Sequence, residues 1–335
     1  MNPKFVLPNF IILIVLFSCI VAICSAEILF TDSEGNQLTF PGPAEKLVCL
    51  NSDSAEMVVA LGAGEKIIGL ADSVMSDTAL MAHIPNAVSV GNWQTPNFEK
   101  VLELKPDAVI SYSSSKPKNS DQFLNAGINL TYLDCYRINT LDHDVKALGT
   151  LLGASDRADV YVKFKDKWQN LVSSRVANLA PDQIPSVYIE GYSDYSANGK
   201  GSGVDQELDV ARGKNIAASL GEQWPKVTAE WVLSQNPDVI IKAVSLKPDK
   251  TLEQVRDGIL HRSGFETLSA VKNNQVYALN GDLAYGPRSP AGLIYVAKAL
   301  HPSLFKDIYP DDVLKEYADT FVSGVEKGEY YYPVL

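Results

Sequence analysis

Most side chains in this chain able to hold a small molecule fall just after short apolar runs. Asn51, Ser52 and Asp53 follow LVCL, Trp93 sits in a Gly-Asn-Trp turn, Tyr112 to Ser114 follow AVIS, and Tyr136 with Arg137 follows LTYLDC. Farther along come Glu190, Tyr192 and Tyr195, then Lys242, then Tyr285-Gly-Pro-Arg288. Aromatic rings offer flat apolar faces to a ligand, and an arginine holds a carboxylate or phosphate through two parallel hydrogen bonds. The candidate ligand set is therefore Asn51, Ser52, Trp93, Tyr112, Arg137, Tyr192, Lys242, Tyr285 and Arg288. Arg288 ranks first, because Pro287 and Pro290 bound its turn just before a helical pattern. The plainer role for each aromatic is core packing, and for Arg288 a salt bridge that stabilises its lobe.

Catalytic and metal chemistry find no such support. The four histidines, His83, His143, His261 and His301, show no His-x-x-x-His spacing, and no Cys/His cluster makes a zinc site. There is no Gly-x-Ser-x-Gly elbow and no nucleophile beside a base. No catalytic residue, metal ligand or cofactor is assigned, and a binding protein is expected rather than an enzyme. Leu61-Gly-Ala-Gly64 follows a helical pattern and precedes a strand, the reverse of a dinucleotide fingerprint, so it reads as a helix C-cap. Gly199-Lys-Gly-Ser-Gly203 lacks phosphate-loop order and reads as a mobile loop before a helix.

The elements that must position these residues alternate. LVCLN, IIGLAD, AVISY and INLTYLD read as strands, with helical patterns in SAEMVVALGAG, FEKVLELKP and SDQFLNAG between them. Such alternation means parallel βαβ units in an open α/β sheet, whose ligands sit beyond the C-terminal strand ends. From Ala154 to Ala180 there is neither Gly nor Pro, and Tyr161, Phe164, Trp168, Leu171, Val176 and Leu179 recur at helical spacing. This predicts one helix about 40 Å long. Alternation then restarts: VYIEGY, DVIIKAV and QVYALNG as strands, with DQELDVARGKNIAASLG, TAEWVLSQNP, TLEQVRDGIL and AGLIYVAKALHP as helices. The expected fold is α/β, two Rossmann-like lobes with mainly parallel sheets joined by a single long rigid helix. The expected boundaries are 44–153, 154–180 for the bridging helix, and 181–335.

The two lobes are related. Laying Trp93–Ile110 on Trp224–Ile241, at an offset of 131, gives seven identities in eighteen positions, including Trp93 with Trp224 and Glu99 with Glu230. Average composition predicts about one. Matched Val, Leu and Ile are core positions and Pro-Asp is turn chemistry. The matched glutamates fall in the first turns of their helices, where a carboxylate suits the dipole without helix physics demanding it on both lobes.

The chain has 335 residues, 46% of them hydrophobic, and 29 Lys plus Arg against 40 Asp plus Glu, a net charge of -11. That length suits about two domains of about 150 residues each. The acid excess and the lack of any Lys/Arg run speak against nucleic acid as a partner. Phe5 to Ala26 carries no charge and only Lys4 precedes it, so residues 1–26 read as a secretory signal cut after Ala26, or as an N-terminal anchor. The Leu-Phe-Ser-Cys19 sequence fits a lipoprotein site badly because Phe17 is bulky. Residues 27 onward work outside the cytoplasm, periplasmic or at the cell surface, with a charge of -12. They keep two of the four cysteines, Cys49 and Cys135, read as buried thiols.

The runs KLVCLNSDSAEMVVALGAGEKIIGLAD, VGNWQTPNFEKVLELKPDAVISY, VTAEWVLSQNPDVII and GPRSPAGLIYVAKALHPSLF, in that order, resemble the extracytoplasmic solute-binding proteins of iron-complex and cobalamin ABC importers. The resemblance spans about residues 44 to 320. It implies two lobes bridged by a rigid helix, with a metal chelate between them: foremost an iron(III) complex such as a siderophore, otherwise a corrinoid or haem. It further implies a monomer that hands this cargo to an ABC permease with its ATPase. In the family one surface Glu on each lobe meets permease arginines; Glu99 and Glu230 match that pattern.

Overall fold

A computed structural model describes residues 27–245 and 250–335. The apolar leader of residues 1–26, with Cys19, lies outside them. The described chain opens with a hairpin, β1 (Ile28–Thr31) against β2 (Gln37–Phe40), in which Phe30 and Phe40 stack 5.7 Å apart.

Five parallel strands build the N-terminal lobe. β3 (Leu47–Cys49) is fully buried, as a central strand covered on both faces must be. After it come α1 (Ser52–Ala60), β4 (Ile67–Leu70), β5 (Val88–Ser89), α2 (Phe98–Leu104), β6 (Ala108–Ser111), α3 (Ser120–Asn125) and β7 (Leu130–Tyr132). Their order across the sheet is β5-β4-β3-β6-β7. The winding reverses between β3 and β6, and that switch point opens a crevice beyond the strand ends. Asn51 to Asp53 and Tyr112 to Ser114 lie there. Gly62, at φ 80°, takes the left-handed position that ends α1. Cys49 and Cys135 are buried free thiols, and burial pushes the Cys49 thiol up to about 12.

Two helices follow. The alternation reading omitted α4 (Leu141–Leu152), whose buried Leu141, Val145, Leu148 and Leu152 face the lobe. α5 (Ser155–Val176) is the bridging helix, 22 residues or about 33 Å. It stops at Val176, short of the expected Ala180, and a short 3-10 turn starts at Pro181. It buries Tyr161, Phe164, Trp168, Val172 and Val176 on one stripe.

In the C-terminal lobe stand β8 (Ser186–Glu190), α6 (Gly203–Val210), β9 (Lys214–Asn215), α7 (Ala229–Gln235), β10 (Val239–Val244), α8 (Leu252–Leu260), β11 (Val276–Asn280), α9 (Ser289–Leu300), α10 (Pro310–Thr320) and β12 (Tyr331–Tyr332). The sheet order is β9-β8-β10-β11-β12, parallel except for the last pair. Here the switch point lies between β8 and β10. One expected helix is much shorter than its sequence suggests: Arg212, at φ 54°, turns the chain out of α6 so that Lys214 and Asn215 can pair with β8. Nor is the Gly199–Gly203 loop open, since Ser202 is buried and caps α6 through the Asp205 N–H.

The bridge is not a lone strut. Phe321, just past α10, packs on Tyr161 at 5.4 Å and on Phe164 at 5.5 Å, and Tyr317 lies 6.0 Å from Phe164. One apolar core thus runs from β3 through α5 to α9 and α10. α9 approaches the Leu283 carbonyl so closely at Gly292 that a Cβ there would overlap it. Gly292→Ala is expected to cost about 1–3 kcal/mol by overpacking, read as a lower urea midpoint at unchanged slope; an unchanged midpoint would contradict this contact.

Candidate functional site

Between the lobes, at the two switch points, lies a cleft of about 420 Å³. Ser52, Asp53, Trp93, Tyr112 and Tyr136 line it from one side, and Tyr192, Asn198, Trp224, Asp282 and Tyr285 from the other. A second chamber of about 810 Å³ adjoins it and shares Asp53, Trp93, Tyr112, Tyr192, Asp282 and Tyr285.

Aromatic rings carry the wall across the lobe boundary. Trp93 meets Tyr112 at 5.9 Å, Tyr112 meets Tyr136 at 5.7 Å, Tyr136 meets Tyr285 at 6.3 Å, and Tyr285 meets Tyr192 at 6.0 Å. Every contact is edge-to-face, the arrangement that ring quadrupoles favour. The phenols are tied back: Tyr112 donates to Asp53 Oδ2 at 2.6 Å and Tyr285 to Asn198 Oδ1 at 3.0 Å. Asn198 Nδ2 is buried without a partner among the described residues. Trp224 is 48% exposed.

The structure separates the sequence candidates into groups. Ser52, Trp93, Tyr112, Tyr192 and Tyr285 come together in the cleft. Asn51 borders only the second chamber, and its side chain caps α1 by accepting the Ser54 N–H. Arg137 stands behind the wall, donating from Nε to the Tyr136 hydroxyl at 2.8 Å and lying over that ring. Lys242 is buried, 2.8 Å from Glu190 and 2.6 Å from the Gly191 carbonyl oxygen. Arg262 chelates the same carboxylate through both terminal nitrogens at 2.8 Å. Burial pushes the Glu190 carboxyl up, but the two cations outweigh it and hold it below its ordinary range.

Arg288 does not present a free guanidinium. It is 2% exposed and grips Glu56 of α1 with two bonds of 2.7 and 2.8 Å. Asp77 at 3.2 Å, Asp282 at 3.4 Å and the Tyr330 hydroxyl at 3.0 Å surround it, and the Tyr317 hydroxyl donates to Glu56 at 2.7 Å. The Tyr161 hydroxyl of the bridging helix donates to the Pro287 carbonyl at 2.8 Å. Glu56 and Asp77 belong to one lobe and Arg288 and Asp282 to the other, so this cluster joins them.

The electrostatic result is that no cation lines the 420 Å³ cleft among the described residues, while exposed Lys327 borders the adjoining chamber. Among the described residues, the charged groups lining the 420 Å³ cleft are Asp53 and Asp282. Burial pushes the Asp53 carboxyl up to about 7, against the Tyr112 hydrogen bond and helped by Glu56, Asp282 and Asp134. Burial also raises Asp282, with Arg288 opposing.

Sequence reasoning left out Trp224, although the internal repeat that paired it with Trp93 held the signal. The repeat extends to backbone geometry. Asn97 and Thr228 cap α2 and α7, which end at Lys105 and Asn236 with φ 50° and 43°, left-handed non-glycine residues 131 apart. Glu99 and Glu230 occupy the same first-turn position of those helices, and both are exposed.

Residues 47–283 match the family model described as periplasmic binding protein. An uncharacterised ABC transporter substrate-binding lipoprotein of Bacillus subtilis is 29% identical over 284 residues, 82% of this chain and 86% of that protein. A vitamin B12-binding protein of Vibrio cholerae is 28% identical over 252 residues, 73% of this chain and 84% of that one. A TroA-like periplasmic binding protein of Veillonella parvula superposes with a TM-score of 0.75 at 24% identity, covering 92% of this chain and 100% of its own.

Removing one partner of the buried pair leaves the other charge uncompensated. Glu56→Ala is expected to lower stability by about 3–5 kcal/mol, while Glu56→Met with Arg288→Met costs less than the single change. Thermal unfolding of the three proteins checks this; equal losses in the single and double variants would contradict it.

Proposed function

The chain belongs to the periplasmic binding protein family, and we propose that it captures a neutral or cationic ring chelate of corrinoid type outside the cytoplasm for delivery to an ABC importer. The observation that carries this reading is the pair Trp93 and Trp224. They sit at equivalent positions of the two lobes, and both line one cleft whose charged groups are carboxylates. Flat indole and phenol faces suit a macrocycle. Cyanocobalamin carries no net charge, its cobalt being balanced by the ring, cyanide and one phosphodiester, and its ring rim carries uncharged amides, so the ring asks for no arginine or lysine. An oxyanion, an anionic ferric siderophore or the propionates of haem would each need one. Lys242, Arg262 and Arg288 are already bound to carboxylates. The vitamin B12-binding relative supports the same choice. A ferric chelate without net negative charge is the second reading, since the same wall would accept it.

No chemistry on the cargo is called for, and one chain supplies both walls, so it works as a monomer. No helix among the described residues is long and apolar enough to cross a membrane. Capture therefore rests on the lobes, with residues 1–26 as the export signal or anchor. Glu99 and Glu230 are the contacts to permease arginines. An exposed ion pair contributes only about 0–1 kcal/mol, so the two orient docking and speed encounter rather than hold the complex together.

Calorimetric titration with cyanocobalamin, a ferric hydroxamate, an anionic ferric catecholate and molybdate tests the cargo. Cyanocobalamin is expected to bind with Kd below about 1 μM, or about 8 kcal/mol, and Trp93→Ala and Trp224→Ala each to weaken it about tenfold, 1.4 kcal/mol. Tighter binding of molybdate or the catecholate would overturn the reading. For docking, Glu99→Ala with Glu230→Ala is expected to leave cargo affinity intact while uptake falls in vesicles holding the transporter. Unimpaired uptake would remove both residues from that role.

A further inference from the structure

Asp53 lines the cleft with one carboxylate oxygen uncommitted among the described residues. Its Oδ2 receives the Tyr112 hydroxyl at 2.6 Å, while Oδ1 has no hydrogen-bond partner among the described residues. That oxygen lies against Gly286 of the opposite lobe, where any Cβ would collide with it. Asp53 thus stands at the seam, between the two chambers and in contact with both lobes.

Its charged surroundings are mostly acidic. Glu56 lies one turn along α1, Asp134 follows β7, and Asp282 comes from the other lobe, with Arg288 between Glu56 and Asp282. The phenols of Tyr112, Tyr192 and Tyr285 complete the shell, and burial raises each of them further above the neutral range. Among the described residues, Arg288, held by Glu56, and exposed Lys327 are the cations that border the second chamber with Asp53, and Asp77 lines it as well.

A flat cargo laid over this wall displaces water from Asp53 and Asp282 together. Under an uncharged cargo, two ionised carboxylates in one dry wall repel each other and lose their hydration, which favours the neutral form of one of them. We propose that Asp53 is the charge-selecting residue of the cleft: when cargo covers it, Oδ1 takes a proton from solvent and donates it in a hydrogen bond to an acceptor on the cargo rim, such as an amide carbonyl. Oδ2 keeps the Tyr112 hydroxyl, so both oxygens of the neutral acid are satisfied. A cargo without an acceptor there leaves that proton unpaired, and selection follows. The inference rests on the reading that the cleft takes a corrinoid-type ring, in an uncharged form such as cyanocobalamin.

Burial already places the carboxyl at about 7 before cargo arrives. The sign follows from linkage: binding favours the protonated acid, so affinity is full below that value and falls above it, by up to about tenfold per pH unit.

The test is calorimetric titration of the full chain with cyanocobalamin from about pH 6 to about pH 9. Wild type is expected to hold its affinity up to neutrality and then lose about tenfold per unit. Asp53→Asn, uncharged at every pH, gives a flat profile and binds more tightly than wild type at the alkaline end. Tyr112→Phe removes the donor that holds the carboxyl down and moves the break to higher pH. Thermal melts confirm that the variants fold. A flat wild-type profile, or a slope unchanged in Asp53→Asn, overturns the assignment while leaving the corrinoid reading intact. Failure of wild type to bind cyanocobalamin at any pH overturns that reading and this inference with it.

Discussion

Glu56 and Arg288 stand 232 residues apart in the chain and meet in two hydrogen bonds beneath the cleft. A buried ion pair adds little to stability by itself, because removing both charges from water costs nearly what their attraction returns. Its effect is geometric. Arg288 is satisfied only where Glu56, Asp77, Asp282 and Tyr330 converge, and those groups come from both lobes. Any hinge motion that parts the lobes must pull a guanidinium from its carboxylate in a dry setting. The Tyr161–Pro287 bond and the Tyr317–Glu56 bond tie the bridging helix and the C-terminal helix to the same point. The cleft is therefore largely formed before anything enters it.

Commitment of the cations to structure decides what the cleft can hold. With Arg288 facing Glu56 and both Lys242 and Arg262 facing Glu190, the wall is left with rings and two carboxylates. On the proposed reading, specificity rests on flat apolar area and on which hydrogen bonds a cargo rim can complete around Asp53, Asp282 and Asn198.

Much of the fold was legible because it is local. Alternating short runs gave the strands, and the helical stripe through Tyr161, Phe164 and Trp168 gave the bridge. The 131-residue offset that aligned Glu99 with Glu230 also carried the left-handed turns at Lys105 and Asn236. Other features depend on distant partners and leave no local trace. The end of α6 at Arg212 is set by strand pairing with β8, and the packing of Phe321 on the bridging helix links residues 160 apart. Among the residues that line the cleft, the aromatics that follow strand ends are visible from topology. Arg288 looked like a ligand because its turn is well placed, and the fate of its charge depended on Glu56, in the other lobe. Lys242 was misleading for the same reason: a lysine in an apolar strand looks available until its carboxylate is seen.

A cleft formed before cargo arrives fixes the distance between the lobes. Spin labels at exposed Leu124 and Leu220, one on each lobe, can be placed by cysteine substitution because Cys49 and Cys135 are buried. Pulsed electron resonance is predicted to give one narrow distance distribution that moves by no more than about 1 Å when cyanocobalamin is added. A broad distribution in the free protein that sharpens or shifts by several ångströms with cargo would show that the lobes close on it instead.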